Sequence, residues 1–198
     1  MNIDDYTNIH GWFEHKTDGQ VFDYVVSKLD DNSKLAECGV WLGKSTCYVN
    51  YLIKTQNKNI KHYAFDNFDY INNLLSNHRE KWTIITCNDV LNKKSQFELF
   101  KNNKDKYFSD VNVVNGNFND KIKTFVDFYF DAIYIDMCHD YVSVYSNLVN
   151  CFLKLKSNGI LFGHDYGHLD VYNAVNDFNK LNGNKEIKNI FGSFLIEY

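Results

Sequence analysis

Leu35-Ala36-Glu37-Cys38-Gly39-Val40-Trp41-Leu42-Gly43-Lys44-Ser45-Thr46 is the stretch that decides how this chain folds. A short apolar run ends on an acidic residue, passes through two glycines and opens a helical pattern. Glycines at 39 and 43 lack a Cβ, so the backbone there can turn tightly and come close to a ligand. A helix starting near Gly43 points its unbonded N–H groups back at that ligand. Strand, glycine turn and helix together are the unit with which doubly wound α/β sheets hold a nucleotide-like cofactor. The Gly-x-x-x-Gly spacing is looser than the dinucleotide fingerprint, and no Walker lysine pattern is present. Alone, the motif leaves the cofactor unnamed, and an ordinary strand–helix connection would read the same way.

Outward from this stretch, apolar runs alternate with helical patterns. An N-terminal helix covers Val21 to Leu29, a first strand Leu35 to Val40 and a first core helix Lys44 to Lys54. Ile60 to Asp66 is a second strand ending in an acid. Residues 70 to 86 suggest a helix and a short extended piece above the sheet, and Leu91 to Tyr107 reads as one lysine-rich helix. Asp110 to Gly116 is a short strand, followed by a helix through Val126. Asp131 to Asp136 is a continuous apolar run bounded by acids, as in a strand buried on both faces. Tyr141 to Lys156 is helical with Asn158-Gly159 as its stop. Ile160 to Phe162 is another buried strand, and Val171 to Leu181 another helix. Ile187 to Ile190 and Ser193 to Glu197, split by Phe191-Gly192, form a closing hairpin. The expected fold is α/β: a Rossmann-like doubly wound sheet, mostly parallel, with a C-terminal antiparallel hairpin. Residues 1–198 read as a single domain, with 1–32 as a helical cap and 34–198 as the core.

Composition narrows the function. The 198 residues are 44% hydrophobic and 17% aromatic, which fits a folded globular chain. A net charge of −4 with no long Lys/Arg run argues against general attraction to nucleic acid or to an anionic membrane. No apolar run approaches the ~18 residues of a membrane span, and the N-terminus does not read as a signal peptide. A soluble, cytoplasmic protein is expected. Five cysteines without Cys-x-x-Cys spacing argue for free thiols rather than disulfides or zinc.

Three blocks in order then carry a resemblance. They are Glu37 with Val40-Trp41-Leu42-Gly43-Lys44-Ser45-Thr46, then Ile135-Asp136-Met137-Cys138-His139-Asp140-Tyr141, then Gly163-His164-Asp165-Tyr166. With Gly11-Trp12-Phe13 near the start, they resemble the class I S-adenosylmethionine-dependent methyltransferases, over about residue 10 to the end. The nearest branch is the small O-methyltransferases of natural-product sugars and related hydroxyls. The resemblance implies S-adenosylmethionine as cofactor and a small hydroxylated acceptor as partner, with a homo-oligomer left open.

Ligands of open α/β sheets collect at the carboxyl ends of the strands, where Glu37, Asp66, Asn117, Asp136 and Asp165 fall. Glu37, flanked by Gly39 and Gly43, would pair with the cofactor ammonium directly or through water, or else cap the turn's N–H groups. Asp66 would accept the ribose hydroxyls, with Asp69 taking over if the strand slips. Asn117 resembles the adenine contact, and Phe118 either stacks or belongs to the core. Ser45 and Thr46 would bond the cofactor carboxylate or only the helix start.

For the chemistry, the resemblance makes His139 the general base, with Asp136 and Asp165 beside it; the bland reading is a structural histidine. Asp136, His164 and Asp165 are the candidate metal ligands. The related metal-dependent enzymes have acidic, or acidic and amide, residues at the pair matching His164 and Asp165, and here the first member is histidine. Histidine disfavours Mg²⁺ and leaves Mn²⁺ or another imidazole-accepting ion. Without metal, Asp165 would hold His139 or the acceptor hydroxyl. The rival functions are an S-adenosylmethionine-binding protein without transfer and a nucleotide-sugar or NAD enzyme of ordinary Rossmann type.

Overall fold

The computed structural model describes residues 3–70 and 81–198, with the side chains of 81–85 excepted. After a short 3₁₀ turn at Ile3–Asn8, the described elements are α1 (Gly19–Lys28), β1 (Lys34–Cys38), α2 (Lys44–Thr55), β2 (Lys61–Asp66), α3 (Lys81–Leu91), α4 (Gln96–Tyr107), β3 (Asn112–Asn115), α5 (Phe118–Lys121), β4 (Phe130–Ile135), α6 (Tyr141–Lys154), β5 (Leu155–Gly163), α7 (Leu169–Leu181), β6 (Ile187–Ile190) and β7 (Ser193–Glu197).

Seven strands form one sheet in the order β3-β2-β1-β4-β5-β7-β6. The four pairings from β3 to β5 are parallel, and β7 runs antiparallel to both β5 and β6. The order reverses between β1 and β4, and ligand crevices of open α/β sheets lie at that switch point. The expected doubly wound sheet with a terminal antiparallel hairpin is the observed fold.

Strand alternation sends side chains to two buried faces. Leu35, Ala132 and Tyr134 pack with α1, α2, α4 and the N-terminal Tyr6, Ile9 and Phe13. Ala36, Cys38, Ile133 and Ile135 pack with α6 and α7. No helix among the described residues is long and apolar enough to cross a membrane.

Three local readings need correction. The helix expected from Leu91 to Tyr107 is two: Asn92 and Lys93 take positive φ, and Ser95 starts α4 with a reciprocal Ser95–Glu98 capping box. Residues 118–126 hold only α5 and a 3₁₀ turn at Ile122–Thr124. Asn158-Gly159 does not stop a helix. Helix α6 ends at Lys154, where Leu155 turns extended. Phe130 then pairs with Leu155 but Ala132 with Ile160, so Asn158-Gly159 lies in a bulge of β5. The insertion expected over 70–86 lies largely outside the described residues, although 81–91 is helical.

Candidate active site

The glycine turn is built by protein contacts before any ligand is considered. Gly39 has φ +90°, and a Cβ on it would overlap the Asp136 carbonyl. Gly43 has φ +89°, and a Cβ there would overlap the Phe108 ring. The first contact binds the β1 loop to the β4 loop, and the Asp136 N–H reinforces it by donating to the Cys38 carbonyl (2.8 Å). Between them Trp41 holds φ +51°, a conformation costly for a bulky residue.

Asp66, at the end of β2, organises this turn. Its Oδ2 accepts the N–H groups of Val40 and Trp41, both at 3.0 Å, and its Oδ1 accepts that of Phe68 at 2.6 Å. Gln96 adds a third link, accepting the Tyr70 N–H and donating to the Trp41 carbonyl. Burial pushes the Asp66 carboxyl up, against the opposing pull of these N–H donors. The expected ribose acceptor is thus also the clamp of the loop. Asp69 lies in the exposed segment beyond.

Glu37 is fully buried. Ser45 donates its hydroxyl to Oε1, and His62 from β2 places Nε2 3.1 Å from Oε2. The structure joins Glu37 to Ser45, a contact not expected for either residue, and turns the carboxylate into the core beside a histidine that sequence reasoning missed. A single histidine inside an apolar strand carries no signal of its own. Thr46 is buried in the first turn of α2. Asn117 spends its Oδ1 on the Asn119 N–H at the start of α5 (3.0 Å), and Phe118 packs edge-on against Phe65.

The carboxyl ends of β4 and β5 bring together the groups expected to do chemistry. His139 Nε2 stands 2.6 Å from Asp165 Oδ2. The other Asp165 oxygen faces His164 Nδ1 at 3.3 Å, and His164 Nε2 faces Asp18 Oδ1 at 3.3 Å. With a carboxylate at each ring nitrogen, first Asp165 and then Asp18, the His164 imidazole is raised to about 10. Burial alone would lift Asp165, but hydrogen bonds with His139 and His164 hold it well below the ordinary carboxylate range. Asp136, partly buried, is pushed up to about 6, chiefly by loss of solvent, with His164 opposing and Asp165 adding. Asp165 takes φ +56°, a left-handed conformation that aspartate tolerates.

Two overlapping sets of possible metal ligands meet here, the expected Asp136, His164 and Asp165 and a second that takes His139 in place of His164. His164 is occupied by its two carboxylates. Asp136, His139 and Asp165 each offer one ligand atom, all within 4.8 Å of one another. Two carboxylates and one imidazole form a donor set that suits Mn²⁺ or Zn²⁺ better than Mg²⁺. The cavity they line with Met137, Val144 and Phe194 is about 10 Å³, barely the room of one water.

This fold agrees with the comparisons to known proteins. A family model described as a methyltransferase domain matches residues 36–166. Among solved structures, the O-methyltransferase NovP superposes with a TM-score of 0.66 at 17% identity, over 90% of this chain and 78% of its own. Precorrin-6y C5,15-methyltransferase from Geobacter metallireducens gives 0.62 at 13% identity, over 93% and 80%. A Streptococcus mutans protein solved in complex with SAH gives 0.51 at 16% identity, over 90% and 94%. A sequence search of curated proteins finds no match. The chain belongs to the methyltransferase family, as a class I S-adenosylmethionine-dependent methyltransferase resembling the small O-methyltransferases.

Proposed function

We propose that this chain transfers the methyl group of S-adenosylmethionine to a hydroxyl of a small acceptor, a sugar among the candidates, with His139 as general base. One observation carries the reading: the 2.6 Å contact between His139 Nε2 and Asp165 Oδ2 at the ends of adjacent parallel strands. A carboxylate on one imidazole nitrogen fixes the ring and its tautomer, so that Nε2 carries the proton and Nδ1 the lone pair. The small-molecule acceptor is supported by the O-methyltransferase NovP among the structural neighbours.

In this reading the cofactor lies along the ends of β1, β2 and β3. Asp66 would take the ribose hydroxyls in place of its longest contact, the Gln96 amide at 3.5 Å, Asn117 and Phe118 flank the adenine, and Ser45, Thr46 and the Gly39–Gly43 turn receive the methionine end. Glu37 and Asp136 supply negative charge for its cationic groups. The acceptor oxygen attacks the sulfonium methyl in line and a C–O bond forms. The S–CH₃ bond breaks with its electron pair going to sulfur, which leaves S-adenosylhomocysteine, and the hydroxyl proton passes to His139 Nδ1.

A divalent ion held by Asp136, His139 and Asp165 would polarise the acceptor oxygen instead. An imidazole whose lone pair binds a metal cannot take that proton, so the two uses of His139 exclude each other. The test is methyl transfer from radiolabelled S-adenosylmethionine to sugars, phenols, amines and RNA, before and after exhaustive treatment with EDTA. Hydroxyl acceptors should be labelled, and the chelated protein should keep its activity while added Zn²⁺ inhibits. Transfer confined to amines or RNA would sink the acceptor class. Activity restored only by metal would remove His139 as the base.

A further inference from the structure

We propose that Asp18, in the segment before α1, is a positioning residue that sets the orientation of the His139 ring through His164 and Asp165. The proposal rests on the reading of His139 as the base. Asp18 lies outside the residues matched by the methyltransferase family model, so membership of the family assigns it nothing.

Asp18 sits at the N-cap position of α1, where an aspartate ordinarily accepts an N–H of the first helical turn. Here it has φ −63° and ψ −29°, and its side chain makes no cap bond. Its Oδ2 instead accepts the Glu14 N–H at 2.8 Å, which fixes the carboxylate plane. The other oxygen, Oδ1, meets His164 Nε2 at 3.3 Å, across 146 positions of sequence. The helix start has given up its cap to reach the end of β5.

From there the geometry runs in one line. His164 has a carboxylate at each ring nitrogen, so neither can rotate away without losing a partner. Its Nδ1 pins one oxygen of Asp165 at 3.3 Å. A carboxylate is planar, so pinning one oxygen aims the other, which is the oxygen 2.6 Å from His139 Nε2. Asp165 also holds a positive φ of 56° that its surroundings must maintain. Besides Asp18 and Asp165, Asp136 is the charged group that faces His164. The N-terminal segment is fastened to the site at two other places, through His10 Nδ1 on Trp41 Nε1 (3.2 Å) and the Gly11 carbonyl on Lys44 Nζ (3.2 Å). A change at Asp18 therefore acts on the chain of side chains and leaves the segment docked.

Histidine-ring ¹⁵N–¹H NMR of the full chain with S-adenosylhomocysteine and EDTA reads this directly. Wild type should show His139 in one tautomer, protonated at Nε2. Asp18→Ser keeps an N-cap residue but cannot reach His164, and should move the His139 signals toward a mixture of both tautomers. Asp18→Asn keeps an oxygen acceptor of the same size, and should restore most of the single-tautomer signal. Asp18→Ala reads the same way as the serine variant if that one fails to fold. His139 signals identical to wild type in Asp18→Ser, with only His164 shifted, would overturn the proposal. Failure of the base reading is separable: His139→Ala would then transfer methyl at the wild-type rate while the Asp18 spectra still behaved as expected.

Discussion

The backbone carbonyl of Asp136 occupies the space where Gly39 would carry a Cβ. The loop after β1 and the loop after β4 are therefore one packed unit, and the turn expected to hold the cofactor is in contact with the strand end expected to do the chemistry. The close approach that glycine permits is first an approach of protein to protein. A bound cofactor would lie against a surface already fixed by that contact and by the Asp66 clamp.

Gly39→Ala tests this packing. A left-handed backbone costs an L-residue about 1–2 kcal/mol before any clash is counted, and the overlap with Asp136 adds to it. Each kcal/mol lowers Tm by about 2–4 °C in a chain of this size. A thermal melt should therefore fall by several degrees, and calorimetric binding of S-adenosylhomocysteine should weaken with it. A variant that melts and binds like wild type would mean that the two loops move apart freely.

Asp66→Ala removes three N–H acceptor contacts and, on the proposed reading, the ribose partner. Charge-assisted hydrogen bonds of this kind are worth about 1–3 kcal/mol, so S-adenosylhomocysteine affinity should drop about 5- to 150-fold by calorimetry. Asp66→Asn should lose less, because its amide oxygen still accepts from the turn. Unchanged affinity in both variants would leave Asp66 as a purely structural clamp.

The site also sets how stability follows pH. The His164 imidazole is raised to about 10, against about 6.5 for an unfolded histidine. The folded state thus binds that proton more tightly, and the stabilisation is complete below about pH 6.5 and is lost as pH rises toward 10. Asp165 is displaced the other way, held below its ordinary range. Its contribution is present above the unfolded carboxylate value of about 4 and is lost as pH falls below it. Urea unfolding in EDTA should show both slopes. His164→Gln should flatten the alkaline one, and an unaltered alkaline slope in that variant would place the titrating group elsewhere.

Much of this architecture was legible because local signals and tertiary structure agreed. The run from Ala132 to Ile135 is apolar on both faces and bounded by acids, which is what a buried parallel strand looks like, and the strands at Glu37 and Asp66 carry their acids near the same end. Where a local signal had two uses, the reading went astray. Asn158-Gly159 suits a helix stop and a strand bulge equally, and only pairing with Phe130 and Ala132 decides between them. The periodicity from Leu91 to Tyr107 hid the Ser95-x-x-Glu98 box that restarts the helix. His139 and Asp165 could be placed at strand ends from sequence, as could His164. The partner of His164 could not, because Asp18 is 146 positions away and looks like an ordinary helix cap. Side-chain partnerships at that separation leave no periodic trace.

His139→Ala is the sharpest test of the chemistry. A positioned general base contributes ~10²–10⁴-fold in rate, so turnover of a hydroxyl acceptor should fall by about that factor. The ring lies at the β4 and β5 ends beside Asp165, whereas the proposed ribose and adenine contacts lie at the ends of β2 and β3. S-adenosylhomocysteine affinity should accordingly change little, and the loss should appear in kcat rather than in the KM for the cofactor. Asp165→Asn should lose less than His139→Ala, since the imidazole remains but its tautomer is no longer fixed. If His139→Ala turns over an established acceptor like wild type, the histidine is structural. Asp165 would then be the carboxylate nearest the reaction, and the base would have to be sought there.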